Sequence, residues 1–281
     1  MENIQEENEI KKRIENRIAK KNLSEKLYHY TTIGALFDIL SNRELWLSNA
    51  RNVNDKKDCL VFIDAISALL KEESPEYADK IDKELIIIKE NFKFPYLFCL
   101  SGKPDDAGMW ERYADNANGV CLEFDTRSIF KRFWWRAFLE PVLYAFPTNE
   151  HYGYKFFKDY IGERNELKHF LNEKDLFSYL KVSGYIFKHV SFVSEDEFRV
   201  IMDESMFDMN VKIECKKTKE KINEVMIVDL EGNKVTTENL ITGITIGPRS
   251  QQNLEDLRSF LKKLGLIKLA DNIRKSSCPL R

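Results

Sequence analysis

The sequence LYHYTTIGALFDILSNRELWLS, at residues 27–48, predicts a strand, a helix and a second strand in direct succession. The run 27–31 is rich in aromatic and β-branched residues, which are typical of strands. Thr31 and Thr32 are suited to cap a helix over 33–42, whose apolar residues follow a helical period. The residues 44–48 then alternate between polar and apolar, as a strand does. This segment alone indicates that strands and helices alternate in one fold.

The rest of the chain predicts further strands, with helices at both ends. A polar helix is expected over 2–21, and a final amphipathic helix over 253–264 that Gly265 closes. A short helical turn is expected over 109–114. The expected strands are 94–101, 119–124, 141–146, 197–202, 210–215, 224–229 and 240–246. The pattern favours an α+β class with a central antiparallel or mixed β-sheet.

The domain organisation follows from the same pattern. Residues 1–22 form a polar N-terminal helix, and 23–270 form a single α+β domain with helical insertions at about 60–92 and 151–190. Nothing in the composition of 151–190 resembles a linker, so this stretch is interpreted as an insertion. Residues 271–281 are expected to be a C-terminal tail.

The composition limits the classes of function. With 44 Lys and Arg against 46 Asp and Glu, the formal net charge is −2, so nucleic acid would have to be bound by a local patch. No apolar run approaches the roughly 20 residues that span a bilayer, and the charged start lacks the apolar core of a signal peptide. We therefore expect a cytoplasmic protein without a membrane partner.

The cysteines and histidines indicate no cross-link and no metal. Five scattered Cys without a C-x-x-C pair argue against a disulfide framework, and four unclustered His argue against a zinc site. The sequence also lacks the common phosphate-loop, dinucleotide-binding, zinc-protease and hydrolase motifs. The Glu-x-Lys pairs Glu166/Lys168 and Glu214/Lys216 would suit a metal-dependent nuclease, although chance produces such pairs in a chain this rich in Glu and Lys.

Polar and aromatic side chains cluster where strands begin and end. His29 lies inside an apolar strand, either as a hydrogen-bonded core residue or as a ligand-binding one. Trp46 and Ser48 share one face of their strand because side chains alternate. Trp110 and Tyr113 form an aromatic-basic group with Arg112, a composition that serves a core equally well.

Three consecutive acids precede the apolar run 198–202. Neighbouring carboxylates repel one another, so keeping Glu195, Asp196 and Glu197 together requires an explanation. Either a solvated turn or a functional site explains them. Arg199 shares the strand face of Glu197 and is placed to pair with it.

Eight short blocks together resemble the bacterial domain-of-unknown-function 2971 family. They occur in the family's order over about residues 27–265. The blocks are 27–32 (LYHYTT), 44–48 (ELWLS), 52–55 (NVND), 97–101 (LFCLS), 109–115 (MWERYAD), 119–125 (GVCLEFD), 197–201 (EFRVI) and 244–248 (ITIGP). Lys56 replaces a proline that the family often has after the Asn-Asp pair.

The resemblance implies a fold similar to that of ADP-ribosyltransferases, with split sheets, and a setting in phage defence or toxicity. NAD would then be a substrate, and no metal would be needed. In that comparison His29 binds a ribose of NAD, while Trp46 or Ser48 supports the nicotinamide, with Tyr113 or Trp110 as alternatives. Glu197 would be the catalytic acid and Glu195 an acceptor-orienting acid. Tyr30, Thr31, Asn54 and Arg199 complete the candidate set that binds NAD.

Other classes of function stay open. The sheet pocket would equally suit a non-catalytic module that binds a nucleotide or a partner protein. The acceptor of a transferase would be a protein, a nucleic acid or water. The polar N-terminal helix is suited to pair with a second copy, so a homo-oligomer is one further alternative.

Overall fold

A computed structural model gives the fold. It describes residues 2–52, 93–133, 137–145, 184–203, 212–217 and 221–280, together with 71, 79, 82–83, 86–87 and 90. The chain divides into two compact units. The first comprises Met1–Leu47, Leu97–Pro141 and Ser194–Arg281, and the second comprises Ser48–Tyr96 and Val142–Val193.

Strands and helices are both numbered in chain order. The strands are β1 Lys26–Thr31, β2 Glu44–Asn49, β3 Tyr96–Ser101, β4 Val120–Asp125, β5 Phe138–Pro141, β6 Leu143–Ala145, β7 Phe187–His189, β8 Glu197–Met202, β9 Lys212–Lys217, β10 Ile222–Asp229, β11 Ile241–Ile246 and β12 Ile273–Lys275. The helices are α1 Glu2–Lys20, α2 Ile33–Asn42, α3 Ala107–Tyr113, α4 Thr126–Phe133, α5 Thr237–Leu240, α6 Leu254–Lys263 and α7 Ile267–Asp271. Short 3-10 turns occupy Ala50–Asn52 and Val190–Glu195.

Side-chain caps explain where two of the predicted helices, α2 and α6, begin. The Thr32 hydroxyl accepts from the backbone N–H of Ala35 at 3.0 Å and starts α2. Asn253 caps α6 by accepting from the N–H groups of Glu255 and Asp256. Gly265 follows α6 with a φ of +75°, the left-handed conformation that glycine adopts most easily. The expected positions of α2 and α6 are therefore confirmed.

A ten-stranded sheet organises the first unit. Its order is β12-β11-β4-β1-β3-β2-β10-β9, and β8 pairs with both β3 and β5. The pairs β1–β4, β4–β11, β5–β8 and β9–β10 are antiparallel, whereas β11–β12 is parallel. The expectation of an α+β fold around a mixed sheet is therefore confirmed.

The register of β1 and β4 defines the two faces of the sheet centre. Tyr30 lies opposite Cys121, and both pack beneath α3 with Trp110. His29 lies opposite Leu122 and therefore points to the other face, because strand side chains alternate. One strand thus divides the neighbouring candidates His29 and Tyr30 between opposite faces.

Backbone segments approach very closely where α3 leads into β4. Asp115, Asn116 and Ala117 all have positive φ, at 51°, 52° and 68°. The N–H of Gly247 donates to the carbonyl of Gly119 at 2.9 Å. A Cβ on Gly119 would lie 2.1 Å from the Thr31 carbonyl oxygen, so no side chain fits. The turn depends on glycine for this approach.

Other segments differ in detail from the sequence-based expectation. Within the strand expected over 141–146 the structure has only the short strand β6, which pairs with β7, while β5 ends at Pro141 and pairs with β8. β12 lies within the segment expected to be a tail. The expected insertions, at about 60–92 and 151–190, fall mainly in the second unit, and most of their residues lie outside those described. In the parts of the chain that are described, no helix is both long and apolar enough to cross a membrane.

Candidate functional site

The entry of β8 is fixed by backbone contacts with the end of β3. Asp196 has a φ of +45°, and its carbonyl accepts from the N–H of Gly102 at 2.8 Å. A Cβ on Gly102 would lie 2.1 Å from the Asp196 carboxylate, so glycine permits this approach. The turn at Asp196 sets the directions in which Glu195 and Glu197 leave the backbone.

Glu195 is buried, with 3% of its side chain exposed. Its Oε1 accepts from the Tyr113 hydroxyl and lies 3.3 Å from Arg112 Nη1, both on α3. Its backbone carbonyl accepts from the Ser101 hydroxyl at 2.6 Å. Tyr113 and Arg112 therefore hold the carboxylate of Glu195, and Ser101 holds the backbone of the same residue.

Glu197 forms a buried ion pair with Arg199. Arg199 Nε lies 2.8 Å from Glu197 Oε1, and Nη2 lies 3.2 Å from Oε2. The Arg199 side chain is fully buried, and Glu197 is 6% exposed. All six residues of β8 are buried, so the pair is shielded on both faces of the strand. The pairing expected from the shared strand face is confirmed.

A hydrogen-bond network positions α3, the helix that carries Arg112 and Tyr113. The Tyr30 hydroxyl donates to the Lys103 carbonyl at 2.8 Å and accepts from the Asp106 N–H at 2.9 Å. Burial raises the pKa of Tyr30, so the phenol stays protonated. Trp110, fully buried, donates to Asp105 Oδ1 at 2.7 Å and meets the Tyr30 ring edge-on. Tyr30 and Trp110 therefore support the helix from within the core.

Asp105 links this loop to the C-terminal segment. It accepts from the side chains of Ser276 and Ser277, and from the Ser277 N–H at 2.8 Å. Burial tends to raise the pKa of Asp105, but the bonds from Ser276, Ser277 and Trp110 outweigh it and lower the pKa. Asp105 and Ser101 are functional candidates that local sequence patterns do not reveal. Their one local signal is that they flank the Gly-Lys-Pro turn at residues 102–104. Most of their hydrogen-bond partners lie far away in sequence and leave no local pattern.

His29 occupies a separate environment. Its Nδ1 lies 2.8 Å from the Cys99 carbonyl, to which it donates, and its ring packs on Phe98 with centroids 4.3 Å apart. Burial lowers the pKa of His29 to about 4, although the hydrogen bond to Cys99 acts in the opposite direction. At neutral pH the imidazole is therefore uncharged, and its half-buried, hydrogen-bonded position agrees with the core alternative.

Protein stability is expected to fall below about pH 6.5 because of His29. The unfolded state takes up a proton near its ordinary pKa of 6.5, whereas the folded state resists it down to about 4. Stability is fully present above 6.5 and declines as the pH falls toward 4, by up to about 3 kcal/mol. Urea unfolding between pH 4.5 and 7.5 measures this. His29→Asn keeps a donor for the Cys99 carbonyl without a titrating ring, so equal pH slopes in both proteins would contradict the assignment.

The remaining candidates are Trp46 and Ser48 on β2, Thr31 on β1, and Asn54. Trp46 and Ser48 share a half-buried face of β2, and Lys216 Nζ lies 5.4 Å from the centre of the Trp46 ring. Thr31 is half-buried at the end of β1. Asn54 lies outside the described residues. The contacts of the candidate residues thus pair Glu195 with Tyr113, Glu197 with Arg199, and Tyr30 with Trp110.

Within the described ranges, no group of three or more His, Cys, Asp or Glu side chains is arranged to hold a metal ion. Glu214, part of one Glu-x-Lys pair, forms an ion pair with Lys216 on β9. The other pair, Glu166 and Lys168, is not among the described residues.

The chain is similar to one known protein family over about a third of its length. No curated protein and no solved structure matches this chain. Residues 109–200 match the model of the family described as "Protein of unknown function (DUF2971)". The matched stretch includes Arg112 and Tyr113, which contact Glu195, and the Glu197–Arg199 pair. This match supports the domain-of-unknown-function family that the sequence motifs indicate.

Proposed function

We propose that the protein cleaves the nicotinamide–ribose bond of NAD, as an ADP-ribosyltransferase-like enzyme or an NAD glycohydrolase, at the entry of β8. The observation that carries the proposal is a pair of buried carboxylates, Glu195 and Glu197, two residues apart. Each is held by a guanidinium, from Arg112 and Arg199 respectively. A toxin or phage-defence effector in the bacterial cytoplasm would use this reaction, as the family resemblance implies.

The chemistry requires negative charge beside the ribose. When the bond from ribose C1′ to the nicotinamide nitrogen breaks, its electron pair leaves with nicotinamide and C1′ acquires oxocarbenium character. A carboxylate in a water-poor site stabilises that charge. Glu197 is proposed to take this role through the ribose 2′-hydroxyl, and Glu195 to orient the attacking group. The oxygen of water or of an acceptor then bonds to C1′ and loses its proton.

The contacts also narrow the choice of stacking residue. Trp110 has no exposed surface, whereas Tyr113 is half-buried and fixed by its bond to Glu195. Tyr113 is therefore the better candidate to pack against the nicotinamide ring. Trp46 and Ser48, on their half-buried face of β2, stay the candidates that the family resemblance offers.

A specific observation favours a second candidate, a non-catalytic module that binds a nucleotide or a partner protein. Both oxygens of Glu197 contact Arg199, which is fully buried. A fully buried guanidinium needs a carboxylate partner, so a purely structural role accounts for this pair. In this alternative the acids at 195–197 hold the sheet together, and ligand recognition occurs without turnover.

Nicotinamide release from NAD tests the proposal. We expect release by the parent and at least a ~100-fold lower rate in Glu197→Gln and Glu195→Gln, since each removes negative charge from the reacting centre. Chromatography of free nicotinamide at neutral pH measures the rate. Glu25→Gln is the matched control, because that side chain is 75% exposed and its loss should leave the rate unchanged.

A folding control separates chemistry from stability. Glu197→Gln leaves Arg199 buried without its carboxylate, so the Tm of every variant is measured with the rate. The double variant Glu197→Gln with Arg199→Met removes both charges and should remain folded but inactive. Release by Glu197→Gln at the parent rate would refute its catalytic role. Thermal stabilisation by NAD without release, retained in the double variant, would support the binding module.

A further inference from the structure

One exposed and one half-buried phenylalanine form an aromatic patch on the surface of the first unit. Phe37 of α2 is 55% exposed, and its ring stacks on Phe260 of α6 with centroids 5.3 Å apart and planes 21° apart. Ile33, one turn before Phe37 on α2, is half-buried. Single exposed apolar residues are ordinary, but a stacked pair contributed by two helices is a contiguous apolar surface.

The two helices that carry this patch are held firmly. Arg43, at the end of α2, donates from Nη2 to the carbonyl of Leu264 at 2.7 Å, just beyond the end of α6. The inward residues Leu36 and Leu40 of α2, and Leu257 and Leu261 of α6, are buried. The patch therefore exists before any partner binds, which lowers the entropic cost of association.

Charges flank Phe260 in a self-complementary order. α6 carries acids in its first turn and bases in its last turn. Asp256 precedes Phe260 by four residues and Lys263 follows it by three, so both share its side of the helix. A second α6 running antiparallel would place an acid opposite each base.

We propose that a second copy of this chain covers the patch, with α6 packed antiparallel to α6 across a two-fold axis close to Phe260. Two-fold contacts use the same surface twice, so the patch must complement itself. In this register Asp256 of each copy faces Lys263 of the other, and the Phe37–Phe260 pairs lie between the two ion pairs. The inference concerns a surface separate from the candidate site and does not depend on NAD chemistry.

The mass of the full chain in solution tests the inference. Sedimentation equilibrium across a concentration series should show a monomer–dimer equilibrium for the parent. Phe37→Ser should raise the dissociation constant at least tenfold, which is the typical effect of removing an aromatic side chain from the centre of an interface. Ile222→Ser is the matched control, since Ile222 is 74% exposed on β10 and its loss should leave the constant unchanged.

A charge swap identifies the surface. Asp256→Lys and Lys263→Asp should each weaken the dimer, because like charges then meet across the axis, and the two together should restore it. Circular dichroism confirms that α6 and the fold persist in each variant. A parent that is monomeric at every concentration, or a dimer that survives Phe37→Ser and shows no rescue, would overturn the inference.

Discussion

Gly119→Ala is expected to prevent stable folding. A Cβ at this position would lie 2.1 Å from the Thr31 carbonyl oxygen and 3.0 Å from the Ala114 carbonyl oxygen. Both obstacles are backbone atoms, so relief requires the end of β1 and the start of β4 to separate. The cost should exceed about 3 kcal/mol, which is a large share of the stability of a typical domain. Urea unfolding monitored by circular dichroism, or the soluble yield, measures the loss.

Gly34→Ala is the matched control for that substitution. Gly34 lies in α2, and the nearest atom to a Cβ there is Thr32 Oγ1 at 3.8 Å. Alanine should be tolerated and stabilise the helix by ~0.5 kcal/mol. Gly247→Ala should resemble Gly119→Ala, because its Cβ would lie 2.4 Å from the Ala117 carbonyl oxygen. A stable Gly119→Ala protein with an unchanged unfolding midpoint would contradict this account of the turn.

Arg199→Met is expected to destabilise the protein by about 3–5 kcal/mol, because it leaves the Glu197 carboxylate buried without its guanidinium. Arg199 is fully buried, and its guanidinium contacts both carboxylate oxygens of Glu197. Methionine fills much of the same volume, so the loss reports the charge rather than a cavity. The change in the free energy of unfolding is read from urea denaturation.

The double variant with Glu197→Gln tests whether the two residues act as a pair. Removing both charges should recover most of the stability lost in Arg199→Met, and a double-mutant cycle gives the coupling between them. An exposed pair offers the comparison: Arg258 and Glu255 lie on the surface of α6, where replacing either should cost less than about 1 kcal/mol. Additive losses in the buried cycle would show that the pair is not coupled.

The secondary structure was largely predictable from local sequence. Period-two runs such as 27–31 and 44–48 became β1 and β2, and Thr32 and Asn253 cap the helices where the pattern placed them. Local signals were weaker where pairing with a distant strand decides the outcome. The strand predicted over 141–146 is an example, because β5 ends at Pro141 and pairs with β8, whereas β6 begins at Leu143 and pairs with β7.

The candidate site was predictable only in part. The acids 195–197 stood out as a group, and the Arg199–Glu197 pair follows from strand alternation alone. Ser101, Asp105 and the bond from Tyr113 to Glu195 did not follow, because Tyr113 and Glu195 lie 82 residues apart in the chain. No local period relates side chains at such a separation.

By itself the sequence determined β1, β2, α2 and α6, and that one of the three acids faces Arg199, since these follow from backbone periodicity and short-range caps. The tertiary structure alone decided that α3 lies over β1, that His29 and Tyr30 serve opposite faces, and that Glu195 meets Arg112 and Tyr113. The physical reason is that sheet order and register arise from burial of the whole apolar surface at once. Contacts between distant residues are a consequence of that packing and leave no signal in any single stretch of the chain.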